Sequence, residues 1–311
     1  MLQYLIILLD DTSTSFCHYD VHRRERKLIN LETLHKGIRF AMLENLMIQF
    51  VYPIYDIPKE WKDEIETIDH SKIMPSAIVN DDADVIILDD WDFQKAIECG
   101  KPTTLRVYKD EFFKRYVEII PLLESVKNLN VVIIDIDKFG ETDFSTYKTI
   151  LEKISEEIKR MYSQGLFPQL NILTDRIVLN EMNNCNAGDM SVTLAPNGNF
   201  YICPAFYYED ETDCIGNLEH GLDIKNKQLY KVAYAPICRH CDAWQCKRCV
   251  WLNKKTTLEV NTPSHEQCVV AHIERNASRE LLESLKRQGI FLDKVIPEFD
   301  YIDPFDKREE W

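Results

Sequence analysis

Glycine is scarce, at nine residues in a chain of 311, which argues against a large all-β protein built on many tight turns. Basic residues are also short: 37 Lys and Arg face 52 Asp and Glu, for a formal charge of -15. That balance disfavours a nucleic-acid binder, whose affinity comes largely from cations set against phosphates, and provides no polybasic membrane anchor. Long apolar runs are missing too. Met1 to Leu9 is apolar but short, has no positive segment before it, and is stopped by Asp10-Asp11. It reads as a buried first strand rather than a signal peptide or membrane span. The expected location is therefore cytoplasmic, where thiols stay reduced. No P-loop, GxSxG or HExxH pattern occurs. Cysteine is nearly absent from the first 184 residues, where only Cys17 and Cys99 are found.

What is present is a globular composition, 45% hydrophobic and 11% aromatic, with length enough for one large and one smaller domain. Up to about residue 180, apolar runs alternate with amphipathic helices. Strands are expected at Tyr4–Leu9, Ile48–Tyr52, Ser76–Val79, Val85–Leu88, Thr104–Tyr108, Asn130–Ile136 and Leu170–Leu173. Helices are expected from Asn30 to Asn45, with Leu31, Leu34, Ile38 and Met42 on one face, and from Glu111 to Lys127. A long one begins near Phe144, with Ile150, Ile154, Ile158 and Met161 in a stripe and Gly165 at its end. This alternation predicts an α/β fold with a mainly parallel sheet, open or a partial barrel. Near residue 180 Asn, Gly, Cys and aromatics become frequent, which places a boundary at Leu179–Met182. Domains of 1–180 and 181–272 follow, then 273–311, a helix from Asn276 to Arg287 with an acidic, aromatic tail expected to pack back on the body.

Eight of the ten cysteines fall between Cys185 and Cys268. Cys238-Arg-His-Cys241 and Cys246-Lys-Arg-Cys249 are two CxxC turns four residues apart. Each aims two soft sulfur ligands at one point, which suits zinc or iron–sulfur clusters equally. Ser191 to Cys203 reads as a hairpin around Pro196-Asn197-Gly198-Asn199. With Asn197-Gly198 as a two-residue turn, Ala195 faces Phe200, and Cys203 returns toward Cys185 with Gly188 as the bend between them. Cys214 lies just beyond. Eight thiolates divide into two sets of four. Arg239, His240, Lys247 and Arg248 lie among them, either offsetting their charge or forming a solvated face.

The order Cys185, Gly198-x4-Cys203, Cys238-x2-Cys241-x4-Cys246-x2-Cys249, Cys268 resembles a SPASM domain, the auxiliary-cluster domain of radical SAM peptide maturases. The usual central spacing there is CX2CX5CX3C, so two gaps are each one residue shorter here. The resemblance implies two [4Fe–4S] clusters. By position, Cys238, Cys241, Cys246 and Cys268 would hold one. Cys185, Cys203 and Cys249 would hold the other, with Cys214 as the candidate fourth ligand. The alternative is two structural Zn²⁺ ions. The N-terminal sequence, including Leu9-Asp10-Asp11-Thr12-Ser13 and Phe50-Val51-Tyr52-Pro53, further resembles the CXXX repeat peptide maturase family. That implies a Cys-rich precursor peptide as partner and a role in its maturation. The runner-up is a zinc-stapled recognition module presenting the peptide to a separate modifying enzyme.

One departure is plain. The loop after the first strand reads Phe16-Cys17-His18-Tyr19-Asp20, not CxxxCxxC, and no Gly-Gly-Glu follows the second strand. SAM cleavage is therefore not assigned, and the N-terminal part is expected to be a degenerate radical SAM-like half barrel. Asp10, Asp11, Cys17, His18 and Asp20 follow the first strand's C-terminal end, where ligands sit in parallel sheets. A polar loop is the simpler account. The acidic run Asp81, Asp82, Asp84, Asp89, Asp90 and Asp92 reads as strand-end turns and caps, and Cys99 as a buried helix residue.

Overall fold

The computed structural model describes residues 2–21, 23, 25–291, 293 and 294. In chain order the elements are β1 (Tyr4–Leu8), α1 (Leu31–Leu43), β2 (Met47–Val51), α2 (Lys59–Ile65), β3 (His70–Pro75), β4 (Val85–Leu88), α3 (Gln94–Cys99), β5 (Thr103–Val107), α4 (Lys109–Arg115), α5 (Ile119–Ser125) and β6 (Leu129–Ile133). They continue with α6 (Glu141–Ser163), α7 (Asp175–Val178), β7 (Ser191–Leu194), β8 (Phe200–Tyr201), α8 (Pro204–Glu209), β9 (Gly216–Asn217), β10 (Gly221–Leu222), α9 (Val250–Thr257) and α10 (His265–Arg287). The larger sheet has the order β6-β5-β4-β3-β2-β1-β7-β8, and β9 with β10 forms a separate ribbon. β1 pairs in parallel with β2 and with β7, as do β2 with β3 and β3 with β4, whereas β7 and β8 are antiparallel. This is the mainly parallel α/β fold that the alternation predicts.

The chain gathers into two compact units, Met1–Thr104 with Asn186–Lys231, and Leu105–Cys185 with the described residues from Val232 onward. The expected boundary at Leu179–Met182 lies inside the second unit, and the tail Ile296–Trp311 lies outside the described residues.

In the first unit β1 lies between β2 and β7, with Leu5, Ile7, Leu8 and Leu9 fully buried. A strand covered on both faces needs a continuous apolar run. The Asn30 side chain caps α1 by accepting from the Thr33 N–H at 2.8 Å. Its buried stripe is Leu34, Gly37, Ile38 and Ala41, and Met42 is exposed, which corrects the expected face. The reason is close approach: a Cβ at Gly37 would stand 2.5 Å from Leu194 Cδ2. β3 ends at Pro75, which has no N–H to give the ladder, and Ser76–Ile78 is a 3-10 turn, not the expected strand. Register in the hairpin is Thr193 with Tyr201 and Leu194 with Phe200, one residue off the expected pairing. Asn197 has no positive φ, whereas Gly198 is at +81°. Pro196 and Asn197 therefore turn ahead of a left-handed glycine, a three-residue loop that shifts the register by one.

In the second unit the helix expected over Glu111–Lys127 is broken into α4 and α5. Pro121 has no N–H to give the Val117 carbonyl, and Tyr116–Glu118 is a 3-10 turn between the two helices. The stripe Ile150, Ile154, Ile158 and Met161 on α6 is buried as expected. Leu170 makes a single bridge to Leu129, after which Thr174 Oγ1 accepts from the Leu170 N–H at 2.7 Å and turns the chain, so Leu170–Leu173 is not a strand. α10 starts at His265 rather than Asn276, capped by Ser264, whose hydroxyl accepts from the Gln267 N–H. This earlier start carries Cys268 onto a helix. Among the described residues no helix is long and apolar enough to cross a membrane.

Candidate metal centre

Four thiols of the second unit line one cavity: Cys238, Cys241, Cys246 and Cys268, together with Arg248 and His272. Local structure explains the convergence. Cys238–His240 is a 3-10 turn closed by the Cys241 N–H on the Cys238 carbonyl at 3.1 Å. The Cys246 N–H bonds the Ala243 carbonyl at 3.0 Å and brings the second CxxC back. Cys268 comes from the first turn of α10, and His272 stands one turn further on the same face. Cys241 Sγ lies 3.4 Å from His272 Nε2 and accepts from the Ala243 N–H at 3.4 Å.

Burial pushes the Cys246 thiol well up, and the Cys238 and Cys241 sulfurs push it further, against the Arg248 N–H that favours the thiolate. Packed this way without a cation, the Cys246 sulfur resists ionisation; a bound metal would reverse the balance by stabilising thiolate. The donor set fits a thiolate-ligated group, and Cys238, Cys241, Cys246 and Cys268 are the residues that would hold it. Among the described residues no group of three or more His, Cys, Asp and Glu side chains is placed to hold a single metal ion. Arg248 is 2% exposed and lines the cavity, whereas Arg239 and His240 are exposed. The basic residues between the ligands thus split between a buried counter-charge and a solvated face.

The other four thiols divide by unit. Cys185 and Cys249 belong to the second, and Cys203 and Cys214 to the first. The Cys185 N–H bonds the Lys247 carbonyl at 2.9 Å, and Cys249 is the N-cap of α9. Burial and the Cys185 sulfur push the Cys249 thiol up to about 12, against the pull of the Leu252 and Trp251 N–H groups. Cys203 is the N-cap of α8, followed by Pro204 at the first helical position. Gly188 is indeed a left-handed bend, φ +80°, with a Cβ there 2.7 Å from Tyr230 Cγ.

The two carboxylates that follow β1 are engaged within the first unit. Asp10 accepts from the Thr12 N–H and hydroxyl and from the Tyr55 hydroxyl at 2.7 Å. Asp11 accepts from the Tyr207 hydroxyl at 2.5 Å and from Arg23, whose guanidinium stacks 4.0 Å over the Tyr207 ring. Burial first, and then the Asp11 carboxylate, push the Tyr207 hydroxyl up. For Asp10 and Asp11 these contacts agree with a polar loop. The acidic run behaves likewise: the Lys72 N–H is bonded to Asp84, the Asp92 N–H to Asp90, and the Gln94 N–H to Asp92. Cys99 ends α3 and is half-buried rather than buried.

Two groups that the sequence reading missed lie near the cavity. Asp242, directly after Cys241, is 3% exposed and pairs with Arg275 at 2.9 Å, Arg279 at 2.7 Å and Arg176 at 3.8 Å. Fully buried Arg176 lies 3.9 Å over the Trp244 ring. Glu274 on α10 accepts from the Tyr147 hydroxyl at 2.8 Å and from Gln245 Nε2 at 3.3 Å. Desolvation pushes its carboxyl from an ordinary 4.5 up to about 7, against those two hydrogen bonds, with Asp175 adding to the rise and Lys247 opposing it. The folded state therefore holds a proton that the unfolded chain gives up near pH 4.5. Stability from this group is complete below that pH and falls as pH rises through about 7, by roughly 3 kcal/mol in all. Urea denaturation should show wild type losing that much relative to Glu274→Gln between pH 4.5 and 8; parallel pH profiles would refute it.

No protein-family model and no curated protein matches the chain. Among solved structures it is similar to anSMEcpe, an anaerobic sulfatase-maturating radical SAM enzyme, with bound AdoMet. The TM-score is 0.63 at 12% identity, over 92% of this chain and 96% of that one. Against native anSMEcpe with bound AdoMet and Cp18Cys peptide the TM-score is 0.60 at 13% identity, over 92% and 99%. At such identities the likeness is one of fold: the chain has a radical SAM-like α/β fold.

Proposed function

We propose that this protein takes part in maturing a ribosomally made, Cys-rich precursor peptide of the CXXX repeat kind, in the reducing cytoplasm. It would use two Cys-ligated [4Fe–4S] clusters to bind the substrate or pass electrons. The observation that carries the reading is the cavity lined by Cys238, Cys241, Cys246 and Cys268 in a chain of radical SAM-like fold. The second cluster rests on the SPASM resemblance, which implies Cys185, Cys203 and Cys249 as ligands with Cys214 as the candidate fourth. When bound on these thiolates, an iron–sulfur cluster would supply one-electron transfer, and at the second site, if Cys214 is not a ligand, a place for a substrate thiolate. SAM cleavage stays outside the proposal, because the loop at Phe16–Asp20 holds one cysteine and the Asp10 and Asp11 carboxylates are engaged within the protein.

Anaerobic purification should yield a brown protein with about eight irons per chain if both sites hold four-iron clusters. Mass spectrometry of a co-expressed precursor should show a mass change that depends on this protein. A colourless protein with about two zincs, binding peptide without changing it, would instead identify a recognition module that serves a separate enzyme.

A further inference from the structure

His272 belongs to the same cavity as the four thiols, yet it lies outside the cysteine pattern. It is 4% exposed and sits four residues after Cys268 on α10, so both side chains leave the helix on one face. Its Nε2 is 3.4 Å from Cys241 Sγ. The two groups have only one compatible arrangement once metal is bound. A ligating cysteine is a thiolate, which has lone pairs and no proton, so the imidazole nitrogen must be the donor.

We infer that His272 is a positioning residue for the thiolate-bound cluster, donating Nε2–H to the Cys241 sulfur and thereby raising that cluster's reduction potential. The inference rests on the iron–sulfur reading above. Its physical basis is charge. Reduction adds an electron to a group that is already anionic, and part of that density sits on the ligand sulfurs. An N–H aimed at one sulfur is worth more in the reduced state, so it favours electron uptake. Cys241 then has two such donors, His272 and the Ala243 N–H at 3.4 Å. The neighbouring Cys246 takes the Arg248 N–H, and the Arg248 side chain lines the cavity as a further positive group.

The test compares wild type, His272→Leu and His272→Gln as anaerobically purified holoproteins. Iron and acid-labile sulfide are counted first, and an EPR-monitored redox titration follows. His272→Leu should keep the wild-type iron count while one couple moves to lower potential. His272→Gln, which retains an N–H donor, should lie between the two. If leucine does not fold, His272→Phe fills the same space without a donor and is read in its place. Unmoved couples at full iron content would overturn the proposal alone. Loss of about half the iron would also overturn it, because His272 would then be a ligand. A wild type that carries zinc and no iron would overturn the cluster reading, and this inference with it.

Discussion

Replacing Cys241 with alanine should cost about four of about eight irons per chain, halve the visible cluster absorbance and destabilise the second unit. Cys241 is the hub of its cavity: its sulfur meets His272, its N–H closes the Cys238 turn, and Asp242 follows it directly. A ligated group contributes its binding free energy to folding, so losing one of four sulfurs weakens both metal and fold. Cys214 offers the contrast. It is exposed, lies in the first unit, and follows no CxxC turn. Cys214→Ala should therefore retain most iron and most stability. Iron analysis with thermal unfolding decides the matter, and equal losses from the two substitutions would contradict the assignment of Cys241 to a built site.

Asp242→Ala should be the most destabilising single change outside the cysteines, by about 3–5 kcal/mol. One buried carboxylate faces three guanidiniums, at 2.9, 2.7 and 3.8 Å. Arg176 is fully buried, and desolvation lowers it to about 10 even with Asp242 present. Removing the anion leaves that cation in a medium that cannot solvate it, and the loss comes mainly from the stranded charge. The double substitution Asp242→Ala with Arg176→Leu should then recover part of the loss, since the worst of the stranded charge is gone. Urea denaturation of the three proteins measures this. A single-site loss below about 1 kcal/mol, or no recovery in the double variant, would show that the arginines are solvated after all.

How far the molecule could be read in advance varied with the kind of signal. β1 and β4 were each announced by a continuous apolar run, because a parallel strand is covered on both faces, and β2, β5 and β6 by apolar runs that a single Gln49, Arg106 or Asn130 interrupts. β3 was hidden: His70-Ser71-Lys72 is polar, and only Ile73, Met74 and Pro75 are buried. The start of α10 was missed because its first turns carry His265, Glu266, Gln267 and Cys268, and this polarity resembles a loop until the Ser264 cap is recognised. That miss also hid His272, whose spacing from Cys268 has meaning only on a helix. The stripe on α1 shifted for a different reason, since a glycine rather than a large apolar residue made the closest contact.

By itself the sequence determined the donor chemistry. Thiols at CxxC spacing meet locally whatever the rest of the chain does, and a missing CxxxCxxC loop cannot be supplied by folding. It also determined the parallel α/β class, since long apolar strands joined by helices have few other solutions. Tertiary structure alone decided which thiols share a cavity with which charges. It brought Cys268 to the two CxxC turns through α10, buried Arg248 while leaving Arg239 and His240 in water, and set three arginines around Asp242. Those outcomes depend on contacts between segments distant in the chain, and local spacing holds no record of them.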